Sequence, residues 1–148
     1  MHFRKVVCRQ ALLGLVALFP MVIGCGPRIE PQPLSPGEAR IRKFGLIYQE
    51  YMGSQHKRPA SIDELKTWSK KLSKTRLTEL EIPDVEEVFV SPRDQHPYVL
   101  VRGGPTGTWQ VVAHEKVGEG GKRYLFTAMG SFPELEEAAF KQVVPNAR

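Results

Sequence analysis

Few side chains in this sequence are of the types that bind metals or attack substrates. The candidates are two cysteines and, beyond the first residues, three histidines: Cys8, Cys25, His56, His96 and His114. None of them stands at the spacing of a zinc site or a metalloprotease motif. The paired acids at 86–87 and 136–137 are sequence neighbours, which point in different directions on a helix or a strand and make poor acid/base couples. The sequence therefore predicts no catalytic, cofactor-binding or metal-binding residue.

Cys25 is the candidate with the most informative surroundings. Residues 1–10 carry three basic side chains and no acid, and residues 11–24 are almost entirely apolar. As a helix, the apolar stretch would be about 21 Å long, which is shorter than the roughly 30 Å core of a bilayer. This length and order are typical of a secretory signal. The small Gly24 directly precedes Cys25, and the sequence Val-Ile-Gly-Cys at 22–25 resembles the lipobox of bacterial lipoproteins.

The lipobox resemblance implies how this chain would be processed and where it would reside. It implies cleavage between Gly24 and Cys25 and the attachment of lipid, palmitate included, to Cys25. The mature protein would then be anchored in a membrane of the cell envelope and would face the periplasm or the cell surface. A plain signal peptide, or a short uncleaved anchor, with an unrelated cysteine is the alternative.

Charge and cysteine content change once residues 1–24 are removed. The full chain has a formal net charge of +5, and these first residues contain three bases and no acid. The remaining chain is nearly balanced and its acids and bases are interleaved, which argues against binding to nucleic acid. Cys8 is lost with the signal and Cys25 would carry lipid, so we expect no disulfide in the mature protein.

Composition divides the chain into three segments. Residues 1–24 are the predicted signal peptide, and residues 25–36 contain the predicted lipidated cysteine and four prolines. Such proline-rich sequence favours the extended polyproline II conformation, so we expect a semi-rigid linker of roughly 30 Å. Residues 37–145 are predicted to form a single globular domain, since they are enough for one modest core.

Two helices are predicted at the start of this domain. Ser35 and Glu38 match the capping box of a long amphipathic helix that ends near Gly53. The apolar face of this helix is predicted from residues at helical spacing, namely Ile41, Phe44, Tyr48 and Tyr51. Ser61 and Glu64 repeat the capping signal for a second, shorter helix.

Lysines cluster at the end of the second predicted helix. They are Lys66, Lys70, Lys71 and Lys74. Positive charge near a helix C-terminus complements the helix dipole. We interpret the cluster as a solvated face, and contact with anionic lipid is the alternative.

The second half of the domain changes to the alternating pattern of strands. Strands are predicted over 87–90, 98–102, 109–116 and 123–129, a glycine-containing hairpin turn over 119–122, and a closing helix over 133–143. Short connections between consecutive strands favour an antiparallel meander. The predicted fold class is α+β, with the long N-terminal amphipathic helix and the second shorter helix packed on a small antiparallel β-meander, and a short C-terminal helix.

Two segments of this half resemble a known family. Residues 91–99 resemble the D-x-x-G-x-P-Y loop and strand of type II secretion major pseudopilins and planctomycete pilin-like proteins, with Gln95 in place of the loop glycine. Residues 111–132 resemble their C-terminal hairpin, with Met129 in place of an aspartate. The resemblance implies a pilin-like soluble domain. Pseudopilins use this loop in calcium binding, but Asp94 is the single acid near it here, so no metal is carried over.

Three further residues need an interpretation. We expect His114 to be a polar residue on the sheet surface and His96 to shape its loop. Trp109 is either a core residue or a partner-binding anchor, and we retain it as a candidate partner contact.

The predicted function is that of a non-enzymatic, lipid-anchored envelope protein that acts through a protein partner, for example as an accessory to a secretion or surface assembly. The alternative is a membrane-anchored periplasmic hydrolase.

Overall fold

The computed structural model of the chain describes residues 32–101 and 109–145. Nearly all of these residues belong to one compact unit, Pro33–Arg148. Within the described residues the helices are α1 (Pro36–Gln55), α2 (Ile62–Ser69), α3 (Lys74–Glu79), α4 (Val85–Val88) and α5 (Glu137–Val143), and the strands are β1 (Val99–Leu100), β2 (Val111–His114), β3 (Lys122–Thr127) and β4 (Glu134–Glu136). The predicted α+β fold class is confirmed.

Helix α1 begins where its capping sequence predicts. The Ser35 hydroxyl accepts a hydrogen bond from the Glu38 N–H at 3.2 Å, which satisfies one of the free donors of the first turn. The helix ends at His56, whose left-handed φ of 51° stops the helical path. The predicted apolar face is buried: Ile41, Phe44, Tyr48 and Tyr51. No helix in the described part of the chain is both long and apolar enough to cross a membrane.

The sheet is an antiparallel meander with strand order β1-β2-β3-β4. Phe126 of β3 lies in the same apolar cluster as Phe44 of α1. The neighbouring Leu125 points to the opposite face, where it packs in a second cluster with Phe140 of α5. The sheet is therefore covered by α1 on one face and by α5 on the other.

Gly45 permits the close approach of α1 to this sheet. A Cβ atom at this position would lie 2.8 Å from the Phe126 ring and 2.9 Å from the Phe132 ring. Both distances are well below ordinary contact, and the two rings are themselves stacked at 5.5 Å. The glycine costs some helix propensity, and the packing of two aromatic rings against the bare backbone explains its presence.

The prediction of a strand over 87–90 is wrong. Val85–Val88 forms the short helix α4, and Val90 makes only an isolated bridge with Pro97. The Asp84 side chain accepts from the Glu86 N–H at 2.7 Å, so a local cap starts a helical turn ahead of the apolar residues. The acids of that first turn also favour a helix, because they lie at the positive end of its dipole.

The closing helix is shorter than predicted. Residues 134–136 form β4, whose Glu136 lies opposite Lys122 of β3, and α5 occupies only Glu137–Val143. This segment pairs with the free edge of β3, and the Lys122–Glu136 ion pair at 3.2 Å adds a favourable cross-strand contact. Helix α3, which was not predicted, begins at a further serine cap, where Ser73 accepts from the Arg76 N–H at 3.1 Å.

Candidate functional site

Two residues with exposed apolar side chains lie at the same end of the β2–β3 hairpin. Trp109 is 44 % exposed and Met129 is 87 % exposed, so Trp109 is not a core residue. The Ala128 N–H donates to the Gln110 carbonyl at 3.0 Å, which places the adjacent residues Trp109 and Met129 at the same end of the paired strands. We call this pair the apolar end.

A tight turn holds Met129 in place. The Gly130 N–H donates to the Thr127 carbonyl at 3.0 Å, and the Thr127 and Ser131 hydroxyls are hydrogen-bonded at 2.7 Å. Such turns usually carry small polar residues or glycine at their tips. A methionine there buries little surface in the folded domain, so its thioether chain is available for contact with another molecule.

A cluster of charged side chains is centred on Arg93, in the loop that follows α4. Its guanidinium pairs with the carboxylates of Glu115 at 3.2 Å, Glu119 at 3.2 Å and Glu134 at 2.8 Å. It also lies over the Tyr124 ring, 4.7 Å from the ring centre. Burial opposes the charged form, but the three carboxylates raise the pKa of Arg93 above its ordinary value.

Glu115 is the buried partner at the base of this cluster. Its side chain is completely buried, and it accepts hydrogen bonds from the Ser91 hydroxyl at 2.6 Å and from the Tyr124 N–H at 2.9 Å. A buried carboxylate is tolerated only when cations and donors of this kind surround it. Glu115 therefore fastens the 91–97 loop to the β2–β3 hairpin, and its hydrogen-bonding capacity is used within the fold.

A cleft of ≈ 450 Å³ opens beside Arg93, between this loop, the start of α1 and the hairpin. It is lined by Ser35, Pro36, Gly37, Pro92, Arg93, Glu119, Tyr124 and Glu134. The Ser35 and Tyr124 hydroxyls are hydrogen-bonded at 3.0 Å, which ties the chain to the sheet where it enters the domain. The carboxylates around this cleft are engaged with Arg93, and the arrangement serves to join three elements.

His114 is buried, and the expectation of a surface residue is wrong. Only 2 % of it is exposed, because α5 covers this face and Phe140 packs edge-on against the imidazole with ring centres 5.0 Å apart. Its Nδ1 lies 2.7 Å from the Glu115 carbonyl oxygen, so Nδ1 carries the proton and donates. Burial lowers the pKa of His114, because a buried site disfavours the charged form of the ring.

Asp94 organises the 91–97 loop. Its carboxylate accepts from the backbone N–H groups of Val117 at 2.7 Å, Gly118 at 2.8 Å and His96 at 3.0 Å. Burial acts in the opposite direction, but these bonds lower the pKa of Asp94. Gln95 adopts a left-handed φ of 57°, a conformation that glycine adopts more readily than other residues. No group of three or more potential metal ligands occurs among the described residues.

Another cleft, of ≈ 390 Å³, lies against α2 and the end of α1. Glu64 in its wall accepts hydrogen bonds from the Tyr51 hydroxyl at 2.5 Å, the Ala60 N–H at 2.6 Å and the Lys57 ammonium at 3.0 Å. These three bonds, of which the one from Tyr51 has the largest effect, hold the pKa of Glu64 at about 2. The carboxylate is therefore ionised across the physiological range and would be a poor general acid.

The remaining predicted site residues, Gly24 and Cys25, lie outside the described residues, and their cleavage and lipidation stay predictions. The structure places Trp109 and Met129 at the same end of the hairpin, and it places His114 and Asp94 in separate, structural roles. The sequence did not predict the roles of Arg93 and Glu115. The one local signal was Glu115 itself, an acid directly after a run of strand residues. A scan of family models and searches of curated proteins and solved structures found no match for this chain.

Proposed function

We propose that this chain is a lipid-anchored protein of the bacterial cell envelope whose domain acts by binding another protein. The observation that carries this proposal is the order of a basic start, a short apolar segment and Gly24 directly before Cys25. Acyl groups on Cys25 would hold the protein to the membrane, facing the periplasm or the cell surface. Its domain would be of the pilin-like kind, as an accessory to a secretion or surface assembly.

The polar side chains that were candidates for catalysis are hydrogen-bonded within the fold, which supports binding over catalysis. Asp94 is used by three backbone N–H groups, Glu115 by Arg93 and Ser91, and His114 by a backbone carbonyl. General acid/base and nucleophilic chemistry require groups that are free to reach a substrate. Each of these candidate groups instead stabilises the fold.

The apolar end is the surface best suited to a protein partner. Aromatic and methionine side chains are enriched at the centres of protein interfaces. Gly37 lies against Tyr124 and Gln49 lies against Gly130, so the apolar end is about 18 Å along α1 from the point where the chain enters the domain. A partner bound there would leave the chain free to run from its anchor into the domain.

Replacing Cys25 with serine should abolish acylation. A serine hydroxyl cannot form the thioether on which lipoprotein processing depends, so we expect no incorporation of labelled fatty acid and retention of residues 1–24. Metabolic labelling and intact-mass measurement would check both. Cys8→Ser is the matched control, since it removes the other thiol and should leave labelling unchanged. Fatty acid incorporated into the Cys25→Ser protein would contradict the lipid anchor.

The double substitution Trp109→Ala with Met129→Ala should weaken partner binding at least tenfold, because buried aromatic anchors dominate binding energy. Affinity capture of the acylated protein from detergent-solubilised envelope, with quantification of co-purified proteins, would measure the loss. Leu34→Ala with Val117→Ala removes two other exposed apolar side chains and should leave capture unchanged. Equal recovery of every co-purified protein by both double variants would exclude the apolar end as the contact surface.

A further inference from the structure

The segment from the end of α2 to the start of α3 is rich in positive charge. Residues 65–78 contain five basic side chains and no acid. The lysines of this segment are Lys66, Lys70, Lys71 and Lys74, which we call the lysine corner. Such a density of one sign of charge produces a local field that a balanced surface does not have.

Ion pairs within the domain account for only part of this charge. Lys66 and Lys70 share one carboxylate, that of Glu86, with the Lys70 contact at 2.6 Å. Lys71 and Lys74 are both exposed, and neither has an ion-pair partner in the part of the chain that the structure describes. Arg76 is paired with Glu50 and Glu79, so the positive charge that the corner presents to its surroundings is mainly that of Lys71 and Lys74.

Folding explains only part of this placement, because Lys66 and Lys70 lie at the C-terminal end of α2, where positive charge complements the helix dipole. Lys74 is the first residue of α3, and no acid lies in that first turn. Positive charge at a helix N-terminus opposes the helix dipole. The charge of Lys74 therefore does not stabilise α3, and it is available to an anionic partner outside the domain.

We propose that the lysine corner docks on the anionic headgroups of the membrane that holds the protein. This inference rests on the proposed lipid anchor, which confines the corner close to one bilayer and so raises its effective concentration there. Clusters of four or more basic residues on a helical surface are the usual sequence signal for anionic lipid, and each lysine near such a surface raises affinity about fivefold.

The dimensions of the domain allow anchor and corner to meet the same bilayer. Helix α1 has 20 residues and is about 30 Å long. Helix α2 packs against its C-terminal part, where the Tyr51 and Trp68 rings lie 5.3 Å apart. Residues 25–35 reach at most about 35 Å when extended. The reach of this linker is comparable with the length of α1, so a lipid on Cys25 would leave the lysine corner within reach of the same bilayer.

Lysine reactivity on vesicles would test this docking. The acylated mature protein, which would begin at Cys25, would be reconstituted on vesicles of phosphatidylcholine alone or with phosphatidylglycerol, treated with an amine-acetylating reagent and analysed by mass spectrometry. We expect Lys71 and Lys74 to react at least fivefold more slowly with phosphatidylglycerol present. The difference should vanish between about 0.1 M and about 1 M salt, as the screening length falls from about 10 Å to about 3 Å.

Lys116 and Lys141, on the sheet half of the domain, are the control sites and should react equally on both vesicles. In the variant Lys71→Gln with Lys74→Gln, the remaining Lys70 should lose its lipid-dependent protection.

Three outcomes would overturn the docking, and they differ in what else they say. Retention on both vesicles with equal reactivity of Lys71 and Lys74 excludes lipid docking and leaves the lipid anchor intact. Release of the protein from both vesicles by washing excludes the anchor and, with it, the docking that depends on it. Protection of these lysines in native envelope but not on phosphatidylglycerol vesicles assigns the corner to an acidic protein.

Discussion

Replacing Arg93 with methionine should lower the free energy of unfolding by about 3–5 kcal/mol, because it leaves Glu115 buried without its cation. Glu115 is fully buried and Arg93 is its charged partner at 3.2 Å. The hydrogen bonds from Ser91 and the Tyr124 N–H would remain. They stabilise the carboxylate but do not neutralise it. Since small domains are stable by only 5–15 kcal/mol in general, this loss would bring the protein close to unfolding.

Urea denaturation followed by circular dichroism would measure the effect of Arg93→Met. Arg42→Met is the matched control, since Arg42 is an exposed residue of α1 and its loss should change stability by less than about 0.5 kcal/mol. The double variant Arg93→Met with Glu115→Gln should recover part of the loss, because the buried charge is gone as well. A loss below about 1 kcal/mol for Arg93→Met would show that Glu115 does not depend on the guanidinium.

The second large effect is expected at Phe44, where truncation to alanine should cost about 3–5 kcal/mol. Phe44 is completely buried at the centre of an aromatic cluster. Its ring lies 5.9 Å from that of Phe89, 5.3 Å from Tyr98 and 6.3 Å from Phe126. These rings come from separate parts of the domain, so the cavity left by Phe44→Ala would be difficult to close.

Thermal and urea unfolding would compare Phe44→Ala with Met129→Ala. Met129 is 87 % exposed, so its truncation should leave stability within about 0.5 kcal/mol of the parent protein. Should Phe44→Ala fail to fold, Phe44→Leu keeps most of the volume and should cost less than about 1.5 kcal/mol. Equal stability of Phe44→Ala and Met129→Ala would mean that the α1–sheet core is not where the structure places it.

These two predictions separate the interior of the domain from its proposed working surfaces. Arg93, Glu115 and Phe44 hold α1, the 91–97 loop and the hairpin together, and their loss should act on stability. Trp109, Met129 and the exposed lysines of the corner contribute little to that stability. Their loss should act on partner binding or on contact with lipid in a protein that unfolds normally. Stability and binding measurements on the same variants therefore distinguish the two groups.

Local signals in the sequence predicted the elements that are stabilised locally. The start of α1 at Ser35 and that of α2 at Ser61 follow from serine side chains that accept backbone N–H groups within one turn. The turn at 119–122 follows from Gly120 and Gly121, both at positive φ. In each case the interactions that form the element lie within a few residues of one another, so a single sequence contains them.

Long-range contacts decided several features that the sequence did not predict, whereas α3 and α4 begin at the local caps Ser73 and Asp84, which were overlooked. Alternating residues at 87–90 suited a strand, but no strand of the described sheet lies beside them and the Asp84 cap favours a helical turn. The sequence of Glu134–Glu136 is compatible with a helix, but in the folded domain this segment pairs with the free edge of β3 as a strand. His114 appeared to be a surface residue because nothing near it in sequence shows that Phe140 of α5 would cover its ring.

The sequence by itself determined the α+β class, the long amphipathic first helix and the serine caps of α1 and α2, and it predicts the export and anchoring of the chain. All of these depend on composition, periodicity or motifs within one continuous segment. Only the tertiary structure decided that Glu115 and His114 are buried, that Met129 joins Trp109 at an exposed end, and that Lys71 and Lys74 lack a partner among the described residues. Burial and ion pairing depend on residues distant in sequence, and the folded chain alone brings these together.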